Sequence, residues 1–204
     1  MKESRNEVLT LKSKVNLKCE ICDKCCKYRG DIRLTPINVI EISKFLKISI
    51  NEFLEKYTYE LPNEEPEIAI KAEGEESVCI LNNIENNKCK IQKVKPIQCV
   101  MFPLMPIDVG RDLFINIGQC KVKPNKNITI DKWLNGNNKI YKRNKEIYLK
   151  WIELIEELQP KWKKFSIEKR NKIKEYLFKN YEMKGNYKKQ ILNNIKTVRE
   201  MIYN

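Results

Sequence analysis

Histidine is absent from these 204 residues. Its absence removes Ser–His and Cys–His catalytic pairs and any catalytic zinc held by imidazole. Glycine is scarce, at six residues. None forms the Gly-rich strand-to-helix turn of a dinucleotide site, which argues against a Rossmann-like cofactor pocket. No apolar run approaches the roughly 20 residues needed to span a bilayer. The opening stretch "MKESRNEVLTLKSKVNLK" has no apolar h-region and no small-residue cleavage site, so the expectation is a soluble, cytosolic protein without a signal peptide and without a membrane partner. Arginine is also rare: 33 of the 40 basic residues are Lys and only seven are Arg. Abundant Lys, Asn and Ile together are what an AT-rich genome produces, so part of the net charge of +13 reflects codon usage.

The distribution of charge is more informative than its sum. Residues 1–120 carry 18 basic and 18 acidic side chains; residues 121–204 carry 22 and 9. All eight cysteines lie in the neutral part. The reading is two regions: a cysteine-cluster metal-binding domain over 1–124 and a basic helical extension over 125–204 packed on it. A chain of this length buries a core without disulfide staples. In a reducing cytosol clustered cysteines read as metal-binding or catalytic.

Their order is Cys19-x2-Cys22-x2-Cys25-Cys26, then Cys79, Cys89, Cys99 and Cys120. An all-thiolate donor set selects zinc, Cu(I) or iron–sulfur clusters over Mg²⁺ or Ca²⁺. Two-residue gaps let neighbouring thiolates turn toward one centre. Three cysteines so spaced match the first three ligands of a bacterial [4Fe–4S] run, whose fourth comes from elsewhere. A zinc site would combine one Cys-x2-Cys pair with a second pair from a distant hairpin. Adjacent Cys25 and Cys26 point in different directions, so they can serve one centre or two. Eight thiolates divide as four and four, or as one four-ligand cluster plus spare thiols. A spare thiolate beside a metal could also be a nucleophile with lowered pKa.

The predicted elements make the fold mostly helical α+β, with a small cysteine-rich core and a helical C-terminal region. Thr35 caps a helix with Pro36 in its first turn and Ile37, Ile40, Phe45 and Leu46 inward. Ser49 and Glu52 stand at capping-box spacing for a second helix through about Tyr57. "ELPNEEPE" reads as a loop. "IAIKAE", "VCIL", "KCKI" and "LFINI" read as short strands, with a hairpin connection "NNIENN" that brings Cys79 and Cys89 together. A long helix is expected from about Thr129 to Leu158, with Trp133, Ile140, Ile147, Trp151, Leu154 and Leu158 on one face and Pro160 as its stop. Ser166 caps the next helix through about Tyr181, with Ile167, Ile173 and Leu177 inward. Gly185 marks a break before a stripe of Tyr187, Ile191, Ile195, Val198 and Ile202.

"CEICDKCC", "IRLTPINVIEISKFLKISINEFLEKY", "CIL", "CKI" and "KPIQCVMFP" resemble the CxxCxxCC cysteine-cluster proteins of the YkgJ type, a family described as zinc- or iron-chelating and similar to the cysteine-rich part of flagellin lysine N-methylases. The resemblance spans about residues 17–120. It implies Cys19, Cys22, Cys25, Cys26, Cys79, Cys89 and Cys99 as metal ligands, with Cys120 the weakest member. It also implies an iron–sulfur cluster and S-adenosylmethionine as methyl donor. One departure stands out: Lys95-Pro96 and Val100 occupy places where the family usually has Arg-Pro and a basic residue, and Lys does not reproduce a bidentate Arg contact.

The expected function is therefore a cysteine-cluster metalloprotein holding an iron–sulfur cluster or zinc. The family resemblance, and not the residues themselves, implies an S-adenosylmethionine-dependent methyl transfer to a protein substrate. The spacing is not that of radical S-adenosylmethionine enzymes, so such a cofactor would bind at the cluster itself. The alternative is a non-catalytic zinc module with a partner-binding tail. A basic tail raises nucleic acid as a partner, but its Lys-rich, Arg-poor composition and lack of a recognised motif read as a solvated face. Metal storage fits poorly, because ligands spread over a hundred residues describe a site built by folding. Asp31 is the carboxylate nearest the cluster and the candidate base, though such a residue is more often part of a turn.

Overall fold

The computed structural model describes residues 7–16, 26–27, 31–61, 66–83, 85–86, 88–116, 127–136 and 139–203. Among the described residues it is mostly helical α+β, with seven helices and a set of short strands. Strand β1 (Lys14–Asn16) comes first. Strand β2 (Arg33–Leu34) leads into helix α1 (Pro36–Leu46). Pro36 opens the helix where its missing N–H costs nothing. The Thr35 backbone N–H and hydroxyl both donate to Asn38 Oδ1, at 3.1 and 2.9 Å. Lys47, at φ 58°, ends it. Every residue from Pro36 to Ser43 is buried, so α1 is covered nearly all round. Phe45 is 40% exposed; its expected inward place is corrected, because on the last turn of α1 it is Leu46 that packs against the core while Phe45 turns to solvent.

Helix α2 (Ile50–Tyr57) starts at Ser49, whose hydroxyl accepts the Glu52 N–H at 3.1 Å. Strand β3 (Thr58–Glu60) follows, then β4 (Ile68–Ile70). These form an antiparallel sheet in the order β2-β4-β3. Ile68, Ala69 and Ile70 are all buried, as a central strand covered on both faces requires. Hairpins β5 (Ala72–Glu73) with β6 (Val78–Cys79), and β7 (Asn82–Asn83) with β8 (Lys88–Cys89), come next. Helix α3 (Ile97–Met101) leads to the hairpin of β9 (Leu104–Asp108) and β10 (Leu113–Asn116). Strand β11 (Asn127–Thr129) returns to pair with β1.

The expected single helix from Thr129 is two. Helix α4 (Ile130–Asn135) is capped by Thr129, and α5 (Ile140–Trp162) begins at Lys139, which sits at φ 55°. A Cβ at Gly136 would meet the Lys132 carbonyl oxygen at 2.9 Å, so the end of α4 is closed tightly on itself. Nor does Pro160 stop α5. It removes one rung of the ladder, yet the helix runs on to Trp162, which is buried and meets Phe165 edge-on at 6.5 Å. Burying an indole outweighs the lost hydrogen bond. Helix α6 (Ile167–Phe178) starts at Ser166, whose hydroxyl accepts the Lys169 N–H at 3.2 Å. Ile173 and Leu177 point inward, but Ile167 is 75% exposed because it stands at the first helical position, beyond the packed face. Helix α7 (Tyr187–Tyr203) follows Gly185 at φ 82° and buries Ile191, Ile195, Val198 and Ile202.

Among the described residues the buried side chains form two cores. The larger joins α1, α2, the three-stranded sheet and the β6–β8 region to α5, α6 and α7. The smaller gathers Leu9, Val15, α3, Leu104 of β9, Phe114 of β10, α4 and the start of α5. Between α1 and α5, buried Glu41 accepts from Arg143 at 3.0 Å and from Asn144 Nδ2 at 2.9 Å. No helix of the described residues is long and apolar enough to cross a membrane.

Candidate metal centre

Cys79 stands opposite Ala72 at the end of the first small hairpin, closed by a turn with Gly74 at φ 72° and Ser77 at φ 48°. The chain continues to Leu81, whose carbonyl accepts the Lys90 N–H at 2.8 Å. Cys89 lies opposite Asn82 in the second hairpin. Two turns, Gln92 N–H to Cys89 O at 3.3 Å and Val94 N–H to Ile91 O at 2.9 Å, carry the chain back to Pro96. Pro96 fixes the start of α3 and its carbonyl accepts the Cys99 N–H at 2.9 Å. The result is a folded-back ribbon with a cysteine at each return.

Cys26 joins these three. Cys26, Cys79, Cys89 and Cys99 line one cavity with Ile32, Ile70, Leu81, Ile91 and Pro96, and with Gln92 and Lys95 as its polar members. Cys79 is buried and the other three are half-buried. The salt bridge from Lys27 to Glu76, 3.1 Å, ties the residue after Cys26 to the turn that precedes Cys79. Lys95 is the only cation on the cavity wall among the described residues. Cys19, Cys22, Cys25 and Cys120 lie outside the described residues. Among the described residues, no three Cys, Asp or Glu side chains are gathered into a complete metal-holding set; the four thiols form the wall of a cavity. Its volume is about 40 Å³. Organic ligands need about 300–1,000 Å³, whereas this space and its sulfur donors suit an inorganic guest. Metal binding would deprotonate the thiols and release protons.

Asp31 is placed elsewhere. Its carboxylate accepts from the Tyr59 hydroxyl, and its backbone oxygen accepts weakly from Gln98 at 3.5 Å. Burial first, then the hydrogen bond and charge of Asp31, push the Tyr59 phenol up to about 12, against an opposing pull from Arg33. Asp31 is not among the cysteine cavity's lining residues.

A second feature carries no motif and escaped the sequence reading. On another side of α3 lies a cleft of about 540 Å³, whose walls include Arg33, Glu67, Gln98, Tyr148, Glu156 and Gln159 among Met, Leu, Ile and Trp side chains. The Arg33 N–H donates to Gln98 Oε1 at 3.0 Å, and the Arg33 guanidinium pairs with buried Glu67. Burial, and then the Glu67 charge, hold the Tyr148 phenol above its ordinary range. Gln98 lines the cleft while its neighbour Cys99 lines the cysteine cavity, so α3 separates the two spaces.

A histidine-free cavity walled by cysteines is in keeping with the class of cysteine-cluster metal-binding proteins. The CxxCxxCC family, described as "Putative zinc- or iron-chelating domain", matches residues 18–131, more than half of the chain. The chain belongs to this family. No solved structure matches it.

Proposed function

We propose that the chain holds a [4Fe–4S] cluster through cysteine thiolates. The observation that carries this is the convergence of Cys26 with Cys79, Cys89 and Cys99 on one apolar cavity. It supports a centre built by folding, to which the run Cys19, Cys22 and Cys25 and the later Cys120 bring further sulfur donors. Apolar walls around thiolates also suit a cluster, whose potential is set by burial and by hydrogen bonds to sulfur. Residues 1–124 are read as the metal-binding unit, residues 125–204 as a basic extension packed on it, and the cytoplasm as the compartment that keeps the thiols reduced. Anaerobic purification followed by visible spectra and metal analysis tests this. A brown protein with about four irons and four sulfides is expected. A colourless protein with stoichiometric zinc overturns the cluster in favour of zinc.

The cleft beside α3 favours a second, finer reading: an S-adenosylmethionine-dependent N-methylase acting on lysines of a protein substrate. S-adenosylmethionine supplies the methyl group. It is too large for the cysteine cavity and of a size with the cleft, so this reading moves it from the cluster, where the sequence alone places it, to the cleft. Glu156 offers negative charge for a cationic ligand, while Gln98 and Tyr148 offer hydrogen bonds. Saturable binding of S-adenosylmethionine to the metal-loaded protein, weakened by Gln98→Ala, is expected. No binding overturns this reading and leaves the metal centre standing.

A further inference from the structure

Asn82 is 4% exposed, and among the described residues neither its Nδ2 nor its Oδ1 has a hydrogen-bond partner. A buried primary amide with both ends unbonded is rare in a folded protein and calls for an explanation. Its position supplies one. Asn82 is the cross-strand partner of Cys89 in the β7–β8 hairpin. Directly opposed residues project to the same side of a ribbon, with Cβ atoms about 4.5–5.5 Å apart. On its other flank Asn82 shares the wall of a neighbouring open cavity with Cys79. The amide is thus set beside two of the four cysteines that line the candidate centre.

We infer that Asn82 is an outer-shell donor to the metal centre: its side-chain N–H groups hydrogen-bond the thiolate of Cys89 or Cys79 once metal is bound. A neutral thiol is a weak acceptor, which leaves the amide without a bond. A thiolate carries charge, and hydrogen bonds to ionised acceptors are roughly twice as strong as neutral ones. Metal uptake creates that acceptor. Satisfying the amide is thereby coupled to binding. Such partners orient ligands and tune the metal, and removing one typically costs about 10–100-fold in affinity.

The inference rests on the thiolate metal centre proposed above, and the test separates the two. Wild-type protein, Asn82→Leu and Asn82→Asp are loaded anaerobically with zinc alone, and separately with iron and sulfide, then titrated with a competing chelator. The metal-free proteins are compared by thermal unfolding. Asn82→Leu is expected to unfold at or above the wild-type temperature without metal, yet to lose metal about 10-fold more readily. Its cluster, with one fewer donor to sulfur, is expected at a lower reduction potential. Asn82→Asp keeps the shape, replaces the donor by an acceptor beside thiolates, and should lose affinity further; it decides the matter where the Leu variant does not fold. Affinity within twofold of wild type in either folded variant, with the potential unchanged, overturns the role of Asn82 and spares the metal centre. A wild-type chain that takes up neither metal overturns both.

Discussion

Glu41 ties α1 to α5 across the larger core, and its removal should be felt in stability. In Glu41→Ala, Asn144 Nδ2 loses its acceptor, and Asn144 is fully buried with Oδ1 already unbonded among the described residues. An unsatisfied buried donor costs about 1–3 kcal/mol. Arg143 is 37% exposed, so its guanidinium can rehydrate, and its lost ion pair adds only about 0–1 kcal/mol. The expected loss is about 1–4 kcal/mol. For a chain of this size that is about 2–15 °C in Tm, read by thermal and urea unfolding. Glu41→Gln keeps one acceptor for Asn144 and should cost about half as much. Glu41→Leu with Asn144→Leu removes the charge and the amide together and should recover to within about 1 kcal/mol of wild type, since apolar replacement of a buried polar cluster is often neutral. Glu41→Ala within 0.5 kcal/mol of wild type, roughly the effect of an ordinary surface change, would refute the assignment of a clamp.

The cysteines, caps and phenols give further expectations. Cys99→Ser should lose bound metal by elemental analysis while the far-ultraviolet circular dichroism of the α5–α7 helices persists; undiminished metal content counts against Cys99 as a ligand. Ser166→Ala should cost about 0.5–2 kcal/mol in urea unfolding, because the Lys169 N–H loses its cap acceptor. Trp151→Ala, which empties a buried site against Phe178, should cost about 3–5 kcal/mol. Tyr59 titrates up to about 12 when folded against an ordinary value of 10. The unfolded chain then gives up this proton first, so the stabilisation is intact below pH about 10 and disappears between 10 and 12. Tyr59→Phe should delete a late-titrating step from the tyrosinate absorbance; an unchanged profile counts against the raised phenol.

What the sequence revealed was local chemistry. Thr35 with Pro36, Ser49 with Glu52, Ser166 and Gly185 all act within four residues of themselves, and the helices they bound are found where expected. The stripe on α7 was readable because one face is buried along its whole length. Failures came where distant contacts decide. Phe45 and Ile167 fit a helical period but stand where no partner covers them. Pro160 reads as a stop, and only the burial of Trp162 carries the helix past it. The strand pairs β1–β11 and β2–β4 join two or three residues each, too few for any alternating pattern to show. The same limit governs the cysteines. The hairpin between Cys79 and Cys89 could be read from its asparagines. That Cys26 sides with the three late cysteines depends on how α3 and the β6–β8 ribbon fold back, and no spacing rule contains that. The cleft beside α3 draws its walls from β2, α3, β9 and α5, and has no sequence signature at all.

Helix α7 has a bearing on how the protein is made. Its Ile191, Ile195, Val198 and Ile202 complete the core that contains α1, and Tyr187 receives the Lys44 ammonium over its ring at 5.0 Å. A ribosome delivers α1 and all eight cysteines long before it delivers α7. At about 5–20 residues per second, the nascent chain carries its thiols for several seconds with its larger core unfinished. Metal that arrives during translation thus meets thiols on a chain whose larger core is unfinished, whereas metal that arrives later meets a folded cavity; since α7 lends no residue to the cavity's described wall, its docking governs the stability of the scaffold and not access to the sulfurs.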